Sequence, residues 1–194
     1  MQLLLNESET SSGIAYSQAM SAVDVAQAKV VAIASVLTVD APAAGTFTAD
    51  ASTDVMSKSA HGFKTGLKVQ VSNSGGALPS GLSAATDYFV IYVAAGTFKL
   101  ATSSANAIAG TAIDITTNGT GTQTVTPTAI AGASMKLQGS QDNSNWFDLG
   151  VSSNITATAN ILLEKVDPSL RYIRAYYTMT AGQVSFTQYT IVKG

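Results

Sequence analysis

Cysteine is absent from the 194 residues. This excludes disulfides, thiolate nucleophiles and Cys-ligated zinc together, so the fold must rest on packing and on sheet hydrogen bonds. Charge is also scarce. Asp, Glu, Lys and Arg make up 11% of the chain, against about 25% in ordinary soluble domains, and the formal net charge is -2. The longest basic feature is the pair Arg171 and Arg174. That is too little to track a phosphate backbone, so nucleic acid is not an expected partner. No stretch approaches the ~20 apolar residues of a membrane span. The run Leu3-Leu4-Leu5 lacks the basic flank and long apolar continuation of a secretory leader. Neither a membrane nor a cofactor is expected.

What is present is small and β-branched. Hydrophobic residues reach 46% with only 7% aromatic, and Ala, Val, Thr, Ser and Gly dominate. Disordered chains combine low hydrophobicity with high net charge, and this chain has neither. Thr and Val suit a pleated surface, and Gly and Ser supply turns. The composition predicts many short strands joined by tight loops. A weakly charged surface also repels other copies poorly, which suits a subunit packed against neighbours.

Three stretches differ in texture. Residues 1–45 open with a short strand, Gln2–Leu5, continue through a polar loop and a segment of helical character over Ser17–Lys29, and reach a buried strand at Val30–Leu37. Residues 46–127 read as an insertion, bracketed by Val39–Gly45 and Thr126–Gly132, where Pro and Gly punctuate the pattern. Within it, strands are expected at Leu67–Ser72 and Asp87–Val93. The second, apolar on both faces, should be central and should turn through a three-residue loop into Thr97–Thr102. A further hairpin is expected between Thr111–Thr116 and Gly121–Thr126, around Asn118-Gly119. In residues 128–194, Met135 and Leu137 alternate with Lys136 and Gln138. A polar turn over 140–145 leads to Trp146–Leu149, and strands follow at Ile161–Val166, Tyr172–Thr178 and Val184–Lys193. A change of phase in the last predicts a bulge near Thr187-Gln188. The ends of an insertion must lie close together. The expected fold is therefore all-β: a discontinuous antiparallel β-sandwich, jelly-roll-like, from 1–45 and 128–194, with a small inserted β-barrel or sheet module of 46–127.

Two resemblances add to this reading. The runs His61-Gly62-Phe63-Lys64-Thr65-Gly66-Leu67-Lys68-Val69, Leu78-Pro79-Ser80-Gly81-Leu82, Asp87-Tyr88-Phe89-Val90-Ile91, Phe98-Lys99-Leu100-Ala101 and Gly119-Thr120-Gly121-Thr122-Gln123-Thr124 together resemble a small β-module of phage virion proteins. That module is itself likened to the FCCH β-barrel of ubiquitin-activating enzymes. The resemblance implies a barrel and a phage setting, without ubiquitin chemistry. A second set is similar to discoidin-like sandwich domains of phage head and tail proteins: Lys136-Leu137-Gln138-Gly139-Ser140, Asn145-Trp146-Phe147-Asp148-Leu149 and Arg171-Tyr172-Ile173-Arg174-Ala175-Tyr176-Tyr177-Thr178.

Few residues invite chemistry. His61 is the only histidine. A Ser-His-Asp triad would have to use it, with Asp54 or Asp87 as orienter, but its place before Gly62 reads as a structural turn. Asp142, Asn143, Asn145 and Asp148 could offer oxygens to calcium. Ser144 and Trp146 break the alternating ligand pattern, so a solvated turn is expected. Trp146 could join Tyr172, Tyr176 or Tyr177 in a sugar-binding platform, but a lone tryptophan more often fills a sandwich core. No catalytic, cofactor or metal residue is nominated, and no enzyme is expected.

The resemblances imply a bacteriophage virion protein, assembled in the host bacterial cytoplasm. The leading expectation is a capsid decoration or cement protein, binding the major capsid protein or other virion proteins as a homo-oligomer, a trimer by analogy. The assembly contact is expected in the arm that carries Gln2, Leu3, Leu4 and Leu5, able to augment a neighbour's sheet. The alternative is a tail, neck or fibre protein that meets a host receptor or glycan.

Overall fold

The computed structural model describes residues 2–11, 16–19, 22–25, 30–151, 155–166 and 170–193. The chain is all-β. It opens with β1 (Gln2–Ser11), β2 (Tyr16–Ala19), β3 (Val23–Asp24) and β4 (Val30–Asp40). The middle holds β5 (Gly45–Asp50), β6 (Val55–Ser57), β7 (Lys68–Ser74), β8 (Tyr88–Ala94), β9 (Thr97–Ala101), the short helix α1 (Ser104–Ala109) and β10 (Thr122–Pro127). It closes with β11 (Ser134–Ser140), β12 (Phe147–Val151), β13 (Ala159–Val166), β14 (Tyr172–Met179) and β15 (Gln183–Lys193). Among the described residues no helix is long and apolar enough to cross a membrane.

The outer strands build two antiparallel sheets, β1-β15-β4-β13 and β12-β11-β14-β2, with β3 also on β14. With β2 and β3 taken as two segments of one strand, every connection crosses between the sheets except the β11–β12 hairpin. This is the eight-strand jelly-roll order of two interlocked Greek keys. The two sheets share one core. Ile173, Ala175, Tyr177 and Met179 from β14 and Met135 and Leu137 from β11 pack with Val184 of β15. The period-two alternation of β14 is complete, with Tyr172, Arg174, Tyr176 and Thr178 on the other face.

Two sandwich expectations need correction. Across the Ser17–Lys29 stretch of helical character, β2 and β3 are strands paired to β14; residues 20–21 and 26–29 lie outside the described ones. Ser, Val and Asp dilute helical propensity there, and an unpartnered side of β14 was open for pairing. The bulge foreseen near Thr187-Gln188 is not in β15, whose register with β4 runs unbroken from Gln183 to Lys193. A register shift falls instead between Leu3 and Leu5 of β1. An inner strand held on both sides keeps its register, and the irregularity moves to the edge strand.

The middle strands close into a barrel, β10-β5-β6-β9-β8-β7, sealed by the β7–β10 pairing. In β7, Val69 and Val71 point inward while Gln70 and Ser72 face out, the alternation that a filled small barrel requires. Aromatic rings take up much of the interior. Phe98 meets Phe63 edge-on at 5.3 Å and Phe47 at 6.3 Å between centroids, the tilted arrangement that ring quadrupoles favour. β8 is paired on both sides, by β7 and β9. Its turn is tighter than expected: Ala94 pairs with Thr97 across Ala95-Gly96, and a register shift between Tyr92 and Ala94 absorbs the extra residue. The hairpin expected at 111–126 is not formed, because β10 pairs with β5 and β7 instead. Residues 111–116 run as irregular chain, anchored by Ile113 N–H to the Leu100 carbonyl and by Ile115 N–H to Asp54. The sequence reading also missed α1, although its ends are signalled. The Ser103 hydroxyl accepts from the Asn106 N–H, and Gly110 ends the helix at φ 74°, the expected N-cap and C-cap residue types.

Barrel and sandwich are joined by more than the two chain connections. The buried amide of Gln183, at the start of β15, accepts from Lys64 N–H at 3.0 Å and donates to the Gly62 carbonyl at 3.0 Å. Beside it, Lys64 pairs with Asp40 at 2.9 Å.

Candidate functional site

The assembly contact foreseen at Gln2, Leu3, Leu4 and Leu5 lies in β1. One side of that strand is occupied within the chain, with Gln2 opposite Val192 and Leu5 opposite Thr190. The segment is therefore an edge strand of its own sheet. Its outward side pairs with no strand among the described residues. Such an edge presents a row of backbone donors and acceptors, a template for a further strand.

The structure does not bring the triad candidates together. His61 is buried, and backbone groups hold both of its ring nitrogens. Nδ1 accepts from Phe63 N–H at 2.8 Å, which places the proton on Nε2, 2.9 Å from the Ala94 carbonyl and 3.2 Å from that of Thr97. Asp54 is bound to the Ile115 N–H. Asp87 faces Lys68 at 2.8 Å and Gln70, hydrogen bonds that hold its pKa below the ordinary value. His61 pins the 61–63 loop to the β8–β9 turn and is packed against Phe63 and Phe98.

The polar turn after β11 is organised by Asp142. Its carboxylate accepts from the backbone N–H of Asn145 and Ser144, from the Asn145 side chain and from the Ser140 hydroxyl. These bonds, led by the Asn145 N–H, hold its pKa far below the ordinary carboxylate range. Asn143 sits at φ 59°, a left-handed conformation that Asn tolerates better than most side chains. The oxygens once considered for calcium thus diverge: Asp142 binds its own turn, while Asp148 faces Lys136 at 2.6 Å and Gln138 at 2.8 Å.

The platform candidates are divided by strand parity. Tyr177 goes into the core, its hydroxyl donating to the Met179 sulfur at 3.3 Å. Trp146 does not fill the core as expected. It is half-buried on the outer face, on the same side as Tyr172 and Tyr176. The Arg174 guanidinium lies 4.0 Å from the indole centroid and 5.9 Å from that of Tyr176, within cation–π range of both rings. The physical reason is local. Trp146 ends a polar turn beyond the last inward-facing position of β11, and Arg174 on the neighbouring central strand offers a cation to its ring. The signal was available in the sequence: a charged residue at 174 marks the outward parity of β14, and Tyr172 and Tyr176 share it.

A relay of polar contacts crosses this face. Lys136 donates to Asp148, Gln138 donates to the same carboxylate, and the Gln138 carbonyl oxygen accepts from Arg174 Nε at 3.0 Å. The relay orients the guanidinium. Asp148 lies across Gln138 from Arg174 and serves Lys136, and Arg174 forms no ion pair with a described residue. Partial burial lowers the Arg174 pKa, and the neighbouring Tyr176 partly offsets this. At the barrel's end nearest the sandwich, Ala60, Gly62, Phe63, Lys64, Thr65 and Tyr92 line an open, largely apolar hollow of about 680 Å³.

No family model, curated protein or solved structure matches this chain.

Proposed function

We propose that the chain is a structural protein of a bacteriophage particle, a capsid decoration or cement protein that binds the outer shell and ties neighbouring capsid subunits together. The observation that carries this reading is the open build of the jelly roll, above all the β1 edge beside β15. Jelly rolls recur in viral capsids and in lectins. The module resemblance over 61–124 supports the phage setting. A strand laid along β1 would gain backbone hydrogen bonds, and apolar surface buried with it contributes about 25 cal/mol per Å². Repetition around a closed symmetric ring multiplies both. The partners are the major capsid protein or other virion proteins, with further copies of this chain.

Counting copies per particle by mass spectrometry tests the reading. A number near the capsid-subunit count is the expected result; absence from purified particles sinks it. Lysines placed at Leu3 and Leu5 act on the edge itself, because charge on an edge strand opposes pairing with another sheet. The variant should keep its circular dichroism and melting profile yet lose binding to undecorated particles. Undiminished binding would remove β1 from the mechanism.

A second reading, a tail, neck or fibre protein with a receptor- or glycan-binding role, is favoured by the aromatic face around Trp146, Arg174 and Tyr176. A copy number of a few to a few dozen would select it.

A further inference from the structure

We infer that the outer face of β11, β12 and β14 binds an acidic carbohydrate, a sugar bearing a carboxylate, with Arg174 as the anion-binding group. This deepens the second reading and rests on it. Three observations lead there.

The first is charge. Arg174 forms no ion pair with a described residue, and the Asp148 carboxylate lies across Gln138, two strands away, where Lys136 and Gln138 hold it. The guanidinium is partly desolvated beneath an indole ring. A cation in that state gains from an incoming anion, because part of its hydration is already lost.

The second is orientation. A guanidinium has five N–H donors in a rigid planar fork. Here Nε is fixed on Gln138 at 3.0 Å, and the guanidinium lies 4.0 Å from the centre of the Trp146 ring. No hydrogen bond from the terminal Nη groups to a described residue is formed, which leaves the geometry that receives a carboxylate through two parallel bonds.

The third is the set of neighbours. Trp146, Tyr172 and Tyr176 share this side of the sheet, half-buried, with Arg174 over Trp146 and Tyr176 and Arg171 over Tyr172. Aromatic rings with a polar tip present apolar faces to the C–H side of a sugar ring and a donor to its hydroxyls. A bare anion would use the arginine alone; a neutral sugar would use the rings alone. An acidic sugar uses both.

The test is titration of the full chain with oligogalacturonate, with neutral galacto-oligosaccharide of equal length and with a poly-glutamate peptide as comparators. The expected result is saturable, salt-weakened binding of oligogalacturonate, at least tenfold tighter than either comparator. Arg174→Gln and Trp146→Ala should each weaken it tenfold or more, with Arg174→Lys intermediate because it keeps the charge but loses the fork. All variants should retain the wild-type melting profile. Should Trp146→Ala fail to fold, Trp146→Phe, which keeps a ring, takes its place and should weaken binding by less. Equal binding of the neutral oligosaccharide overturns the acidic preference while leaving glycan binding standing. Equal binding of poly-glutamate overturns the sugar and leaves only an anion patch. Binding unchanged in Arg174→Gln removes this face as the site. Binding of none of the three overturns the inference and, with it, the glycan-binding role; the virion reading is judged separately by copy number.

Discussion

The barrel seals itself through the β7–β10 pairing, whereas among the described residues the sandwich ends on edge strands, β1 and β13 in one sheet and β12 and β2 in the other. Their interiors differ in the same sense. The barrel is filled by Phe47, Phe63, Phe98 and Tyr88, large rings that fill a narrow closed space. The sandwich core is mostly aliphatic, with Met135, Leu137, Ile155, Ile173 and Met179, and Tyr177 is the one ring in that buried cluster among the described residues. The barrel therefore closes its own strand ladder, while the sandwich has edges without a second partner among the described residues and carries the aromatic outer face. The β1 edge and the Trp146–Arg174 face both lie on the part of the chain that is not closed, while the barrel contributes the hollow beside Phe63 and Tyr92.

The largest effect that bears on this comparison is expected from Phe98→Ala. Phe98 has no exposed surface and meets two other phenyl rings, so its truncation should cost about 3–5 kcal/mol. Amide hydrogen exchange during denaturation should show protection lost in β5–β10 and retained in β4, β11 and β14. Simultaneous loss would make the barrel and the sandwich one cooperative unit and erase the distinction.

Next comes the far end of the barrel, where two loops press together. A Cβ on Gly121, at φ 77°, would fall 2.5 Å from the Ser74 carbonyl oxygen, whereas one on Gly75, at φ 76°, would meet nothing within 4 Å. Gly75→Ala should therefore cost only the left-handed backbone penalty, about 1–2 kcal/mol, and Gly121→Ala measurably more by urea denaturation. Equal costs would mean that the two loops separate freely.

A smaller effect is expected at the junction. Gln183→Leu removes the amide that joins Lys64 N–H and the Gly62 carbonyl. Water can replace it at these partly exposed groups, so the loss should be about 0.5–1.5 kcal/mol. Faster exchange confined to residues 62–64 is the readout; unchanged exchange there would leave the junction held by other contacts.

Acid should have the least effect, and it should act on the sandwich turn. Asp142 is depressed by the bonds of its own turn. Its contribution is fully present above the unfolded carboxylate value, about 3.9, and is lost as the pH falls through the lower folded value. Carboxyl-carbon NMR should show Asp142 still ionised at pH 3; a midpoint near 3.9 would contradict the bonding seen in the turn.

The all-β class was legible because strand parity and Gly/Pro punctuation are local. Val69-Gln70-Val71 and Met135-Lys136-Leu137 announce their buried faces directly. Partner choice was not legible. Gly121–Thr126 looks ready for a hairpin around Asn118-Gly119, yet β10 is taken by β5 and β7, and no local pattern reports competition from distant strands. The outer face was half legible: Arg174 fixes the parity of Tyr172 and Tyr176, but the resting place of Trp146 depends on the neighbouring strand that brings the guanidinium. The arm of Gln2–Leu5 looked sticky for the same reason that it pairs with β15, since the composition that favours a neighbour's sheet also favours its own.

The chain enters the barrel from β4 and leaves it into β11, and each is an inner strand of a different sheet. A pull on the barrel is thus delivered to the middle of both layers at once, where each loaded strand is flanked on either side. Rupture would require sliding a whole row of bonds in shear rather than unzipping an edge one bond at a time. The junction at Gln183 adds a third anchor that resists tilting. The barrel is thus braced against the sandwich at three points, and a force on it is shared by both layers.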